Sequence, residues 1–196
     1  MKQPENSICA PVRCHWVNLK NPVYVRYHDR EWGKPVVRDR KHFEMLTLEG
    51  AQAGLSWETV LKKREAYRTL FEGFDPRRIA RFSDKKLEQI LSNNGVIRNR
   101  RKIYSVRENA KAFLSIQKER GSFNRYVWEF VGGAPIDNCP RTSADFQSSS
   151  PESDILSRDL KRRGFSFVGS TIIYAYLQAA GLVNDHSYDC FVRRKR

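Results

Sequence analysis

Apolar positions along this chain recur at helical spacing far more often than they alternate. Ile103, Val106, Ala110 and Phe113 fall at i, i+3, i+7 and i+10, one face of a helix. Asp75 followed by Pro76 reads as an N-cap and first helical residue ahead of Ile79. Ser83 opens another helix through Leu87, Ile90 and Leu91, which stops at Asn94-Gly95. Further helices are predicted over residues 41–53, 56–71, 124–131, 153–163 and 171–180. Period-two alternation is confined to one short β-like stretch, VYVRY at residues 23–27. Residues 132–151, GGAPIDNCPRTSADFQSSSP, are rich in Gly, Pro, Ser and Asp and predict a long surface loop between two helical blocks. No internal repeat is present. The pattern is that of an all-α protein.

The 196 residues suit one helical domain, or two small lobes sharing a core, over residues 14–190. An N-terminal extension (1–13) and a basic tail (191–196) flank it. No uncharged apolar run is long enough to cross a bilayer, and the N-terminus lacks the apolar region of a secretory signal. A cytosolic, soluble protein without membrane partners, acting as a monomer, is expected.

The net charge is +14, and it is clustered in LKKREAYR (61–68), IRNRRK (97–102), LKRRGF (160–165) and RRKR (193–196). Each cation that neutralises a phosphate releases counterions, so such clusters point to a polyanionic partner. A uniformly basic, solvated surface is the bland alternative, and the terminal run alone carries little weight.

The four cysteines, Cys9, Cys14, Cys139 and Cys190, are too few and scattered for a secreted disulfide framework. Cys139 falls in the predicted loop and reads as a free thiol. His186 and Cys190 stand at i and i+4 in HSYDC, a spacing suited to chelation on a helical turn. Cys14 and His28 lie near the other end, and two thiolates with two imidazoles would close a structural zinc site. Coincidence is the competing reading of one such pair. His15 could stand in for His28, whereas His42 has no cysteine near it.

From Met45 to Trp57, MLTLEGAQAGLSW, Glu49 is the one charged residue in a chain that is 30% charged. A carboxylate in such surroundings is paired, faces a polar cavity, or simply points to water from one helix face. Trp16, Tyr24, Tyr27, Trp32 and Trp57 surround the same region of sequence. Aromatics at this density usually form core, yet with one carboxylate they are also the parts of a nucleobase pocket.

Four blocks, CHWVNLKNPVYVRYHDREWGKP, FEMLTLEGAQAGLSWETVLKKREAYR, NNGVIRNRRKI and KRRGFSFVGSTIIYAYLQAAGLVNDHSYDC, together resemble the bacterial 3-methyladenine DNA glycosylase I family. The resemblance runs from about Cys14 to Cys190, with the residues before and after lying outside it. It implies a helix-hairpin-helix glycosylase fold with one structural Zn2+ bound by Cys14, His28, His186 and Cys190, joining the two ends of the chain. It implies a base pocket of Trp16, Tyr24, Tyr27, Glu49 and Trp57, with Glu49 as the catalytic and base-reading carboxylate. Gly54-Leu55 matches the family's wedge into DNA, and GFSFVGS (164–170) resembles the backbone-binding hairpin, with amides at Gly169 and Ser170. Alkylated double-stranded DNA would be the substrate and free 3-methyladenine the product. The family often has glycine where His15 stands. Asp185 is an alternative carboxylate for activating water, although beside His186 it reads as a partner of that ligand. Two rival classes remain: a zinc-stabilised DNA-binding module without catalysis, and a glycosylase with lyase activity, which needs a lysine in the pocket.

Overall fold

The computed structural model describes residues 10–193; Cys9, most of the N-terminal extension and the last three residues of the basic tail lie outside that range. Helices dominate. They are α1 (Pro22–Arg30), α2 (Asp39–Gln52), α3 (Trp57–Leu70), α4 (Pro76–Ile79), α5 (Asp84–Leu91), α6 (Arg100–Arg120), α7 (Phe123–Glu129), α8 (Pro151–Arg162) and α9 (Ser170–Ala179). Two two-residue strands, β1 (Ile136–Asp137) and β2 (Val183–Asn184), pair in parallel. Among the described residues no helix is long and apolar enough to cross a membrane.

Most helix boundaries follow from their caps. Asp75, Ser83, Ser56 and Asn99 each accept a backbone N–H from the first turn of α4, α5, α3 and α6, which satisfies amides the helix itself leaves unpaired. One expectation fails: residues 23–27 are not extended but lie within α1. Asn21 caps its N-terminus and Pro22 occupies the first turn, a start signal that outweighs a short β-branched alternation. The helical spacing of Tyr24, Tyr27 and His28, at i, i+3 and i+4, then puts pocket and metal candidates on one face.

The buried apolar residues form one cluster from Cys14 to Val192, with Phe113 stacked on Phe123 at 4.1 Å. His42 lies within it, bonded to the Tyr176 hydroxyl (2.7 Å) and Asn124 (3.0 Å), with no role at the metal candidates. Helix α2 packs on α3, α6 and α9, and α8 packs on α9. The C-terminal turn of α9 lies so close to the chain at Lys34-Pro35 that a Cβ on Gly181 would collide with their backbone. That close approach sets α9 against the segment leading from α1 to α2, and the site lies between them.

Candidate active site and metal centre

Trp16, Tyr24, Tyr27, Glu49 and Trp57 line one cavity of ≈ 250 Å³, as expected, together with Trp32, Gln52, Phe146, Ala175 and Gln178. Gln52 follows Glu49 by three residues on α2, and Ala175 and Gln178 repeat that spacing on α9, so helical periodicity could have found all three. Phe146 comes from the segment read as a surface loop and had no such signal. Tyr27 packs on Trp57 (5.2 Å between ring centroids) and Trp16 on Trp32 (4.7 Å).

Glu49 does not point to water. It is 4% exposed and has no hydrogen bond or ion pair among the described residues. Burial alone raises its pKa from 4.5 to about 8. Five residues earlier, Glu44 is equally buried yet paired with Lys41 (3.0 Å), Arg64 (2.8 Å) and Arg68 (2.8 Å), and its pKa is lowered despite its own burial. The contrast marks Glu49 as a carboxyl waiting for a partner that the described residues do not supply. The Trp57 indole N–H is likewise buried without an acceptor among the described residues.

The turn after α2 carries the wedge candidate. Gly54 adopts φ +77°, and the Leu55 amide closes the turn onto the Gln52 carbonyl (2.6 Å), leaving the Leu55 side chain 42% exposed. Both residues line a groove of ≈ 370 Å³ that Glu49 and Gln52 share with Thr171, Ile172 and Ala175, so Leu55 stands beside the pocket. Lys102, counted within a basic cluster, is buried instead: its ammonium donates to the Ala51 (2.9 Å) and Ala53 (2.7 Å) carbonyls and ties down the end of α2. Arg64 and Arg163 are also spent internally, on Glu31 and Glu44 and on Asp159 and Glu119. Arg193, the first residue of the RRKR tail, pairs with Asp137 (2.6 Å).

Helices α8 and α9 are joined by the turn 163–169, which Ser157 holds through the Val168 carbonyl (2.6 Å) and Asn109 through the Ser166 backbone (2.8 and 3.0 Å). Gly169 is the N-cap of α9 and offers no side-chain cap, so the first-turn amides are not claimed by one. The Ser170 hydroxyl is engaged by Asp154 and Ser153, leaving its amide as the group able to serve a phosphate. Arg101 and Lys161 line a groove with Gly169 and Ser166.

Cys14, His28, His186 and Cys190 converge, all buried, with their ligand atoms within 4.8 Å of one another. His186 Nδ1 lies 3.5 Å from both sulfurs, and His28 Nε2 lies 3.6 Å from Cys190 Sγ. A tetrahedral zinc about 2.3 Å from sulfur and about 2.0 Å from nitrogen requires sulfur and nitrogen to be about 3.6 Å apart, so the cluster fits that ion. The remaining ring nitrogens are fixed by His28 Nδ1 to Asp29 (2.8 Å) and His186 Nε2 to the Trp32 carbonyl (3.2 Å). The Cys190 thiol is lowered from its usual value, first by its contact with Cys14 and then by the two imidazoles. His15 is not in the cluster; it is exposed and meets the Phe146 ring edge-on at 4.9 Å. Nor does Asp185 support His186. It accepts from Asn138 (2.8 Å), Tyr174 (2.7 Å) and Gln178 (2.6 Å), and it does not line the cavity. Cys139 forms no disulfide among the described residues.

Trp32 links the two centres, packing edge-on against the His186 ring at 4.7 Å while lining the pocket. The aromatic cavity thus surrounds one carboxyl without a partner among the described residues, and it adjoins the Cys2His2 cluster. The family model for methyladenine glycosylases matches residues 16–194, continuing past Cys190 into the tail. The chain belongs to the methyladenine glycosylase family. It is 47% identical to DNA-3-methyladenine glycosylase 1 of Escherichia coli over 91% of this chain and 95% of that one. The crystal structure of a 3-methyladenine DNA glycosylase I superposes with a TM-score of 0.89 at 50% identity, covering 92% of this chain and 98% of the other. A glycosylase I from Staphylococcus aureus, whose structure is described as the basis of 3-methyladenine recognition, gives 0.86 at 35% identity over 88% and 92% of the two chains. The matched segment spans the cavity residues, the turn at Gly54-Leu55 and three members of the Cys2His2 cluster, and it begins two residues after Cys14.

Proposed function

We propose that this chain is a monofunctional DNA glycosylase of base excision repair, which hydrolyses the N-glycosidic bond of 3-methyladenine in alkylated duplex DNA. The observation that carries the reading is Glu49, buried and unpaired inside a nucleobase-sized aromatic cavity. N3-methylation makes the base cationic within DNA and weakens its bond to the sugar. At neutral pH the empty pocket holds Glu49 largely as the acid, because its pKa stands at about 8. A cationic base stabilises the carboxylate, so entry of the damaged base and ionisation of Glu49 favour each other. An uncharged adenine offers no such gain. Tyr24, Tyr27, Trp16 and Trp57 present electron-rich faces to the cation, about 0.5–2 kcal/mol for each contact. The exocyclic amine of adenine donates to Glu49, whereas guanine would set a carbonyl oxygen against it.

The nucleotide must leave the duplex to reach this cavity, at an unstacking cost of a few kcal/mol. Leu55 would fill the gap, while the α9 amides at Gly169 and Ser170, with Arg101 and Lys161 alongside, would grip backbone phosphates in the manner of a helix-hairpin-helix element. Cys14, His28, His186 and Cys190 would hold one structural zinc, which supplies folding free energy and no reactive position. No lysine lines the cavity among the described residues, which argues against lyase chemistry, and a non-catalytic DNA-binding module has no use for the pocket. Release of free 3-methyladenine from methylated duplex DNA tests the proposal.

The wedge has its own consequence. Leu55→Ala removes an exposed side chain outside the base cavity. Excision from duplex DNA should fall by about tenfold or more, the worth of about 1.4 kcal/mol, while affinity for the free base stays within about twofold. Equal losses in both assays would place Leu55 in base recognition instead.

A further inference from the structure

The cavity's other walls come from the chain at Trp16 and Trp32, from α1 to α3 and from α9; Phe146 is the lining residue from the long connection between α7 and α8. That connection is fastened on both sides of it. Ahead of Phe146, β1 pairs with β2, and Asn138 donates to Asp185 (2.8 Å) and Tyr174 (3.1 Å). The Tyr188 amide donates to the Pro140 carbonyl (2.9 Å), and the Arg141 guanidinium lies 4.1 Å from the centroid of the Tyr188 ring. Asp145 then folds the turn by accepting from the Arg141 (2.8 Å) and Thr142 (2.7 Å) amides. Behind it, Ser150 caps α8. The Phe146 ring is braced by His15, the neighbour of the pocket residue Trp16.

We propose that Phe146, braced by His15, is a specificity-determining wall of the base pocket that keeps water from Glu49 and limits the bulk of the base admitted. The identity of that base rests on the function proposed above; the exclusion of water from Glu49 does not. Asp185 ties this connection, through Asn138, to Gln178 of the wall that α9 supplies.

The test is Phe146→Ala in the full-length, zinc-loaded protein. Phe146 is only partly buried and stands outside the core, so zinc content and melting temperature should match the parent. Side-chain carboxyl NMR should show the Glu49 titration falling from about 8 toward 4.5 by about one pH unit or more, because solvent now reaches the carboxyl. Tyr24 and Tyr27, the other titratable side chains facing the cavity, ionise above the usual phenol range and do not overlap it. Affinity for free 3-methyladenine should drop about tenfold, with Phe146→Leu in between. His15→Ala should move both readouts less and in the same direction, and His15→Phe should restore them. An unmoved Glu49 titration with unchanged affinity would overturn the proposal. A parent protein with no affinity for 3-methyladenine would sink the proposed function instead, and the ligand-free titration would still decide whether Phe146 is the wall.

Discussion

Replacing Glu49 by glutamine should slow excision of 3-methyladenine, which is cationic within DNA, by the equivalent of about 1.5–3 kcal/mol, the typical worth of a hydrogen bond to a charged group. Glu49→Ala should lose more and should erode discrimination against 3-methylguanine, since the repelling acceptor has gone. The same substitutions should leave the protein better folded at high pH. Glu49 has a folded-state pKa of about 8 against the usual 4.5, so folding opposes its ionisation. The penalty is absent below about pH 4.5, grows as pH rises toward 8, and is constant above it. At about 1.4 kcal/mol for each pH unit, and allowing for relaxation, it reaches on the order of 2–3 kcal/mol at neutrality. The melting temperature of Glu49→Gln relative to the parent should therefore rise between pH 5 and pH 8, by roughly 4–12 °C. A difference that does not vary with pH would mean that Glu49 ionises freely and is solvated.

The second large effect lies at the metal cluster. Cys190→Ala should abolish zinc binding and lower stability sharply. Structural zinc in finger peptides provides roughly 10–16 kcal/mol coupled to folding. Even a third of that, about 4 kcal/mol, lowers the melting temperature of a domain this size by roughly 8–16 °C. The damage should reach the pocket, because Trp32 packs on His186 and Trp16 lies 5.3 Å from the His28 ring. Affinity for the free base should fall with zinc content even at temperatures where the variant stays folded. His15→Ala should keep the metal, since His15 stands outside the cluster. A metal-free preparation that melts with the parent would contradict the structural role.

Where caps and periodicity agreed, the helices were legible in the sequence: Asp75-Pro76, Ser83 and Ser56 begin helices as read. In residues 23–27 five positions are too few to separate alternation from a helix, and the deciding signal is the Asn21-Pro22 start just ahead of them. The pocket was legible because its residues lie close together in sequence and share a family pattern. Phe146 was not, since long-range packing alone brings it into the cavity with Glu49. Burial was the other blind spot. Lys102 looks like any member of a basic run until two backbone carbonyls are seen around its ammonium. Asp185 sits next to His186 of the Cys2His2 cluster in sequence, yet its carboxylate turns to Asn138, Tyr174 and Gln178.

One measurement bears most directly on the central claim: identification by chromatography of the bases released from methylated duplex DNA by the parent protein and by Glu49→Ala. The parent should release 3-methyladenine in preference to 3-methylguanine and leave the strand uncut, and Glu49→Ala should lose both rate and preference. If the parent released no 3-methyladenine, or if Glu49→Ala released it as fast and as selectively, the assignment of this pocket to excision of a cationic adenine would be wrong.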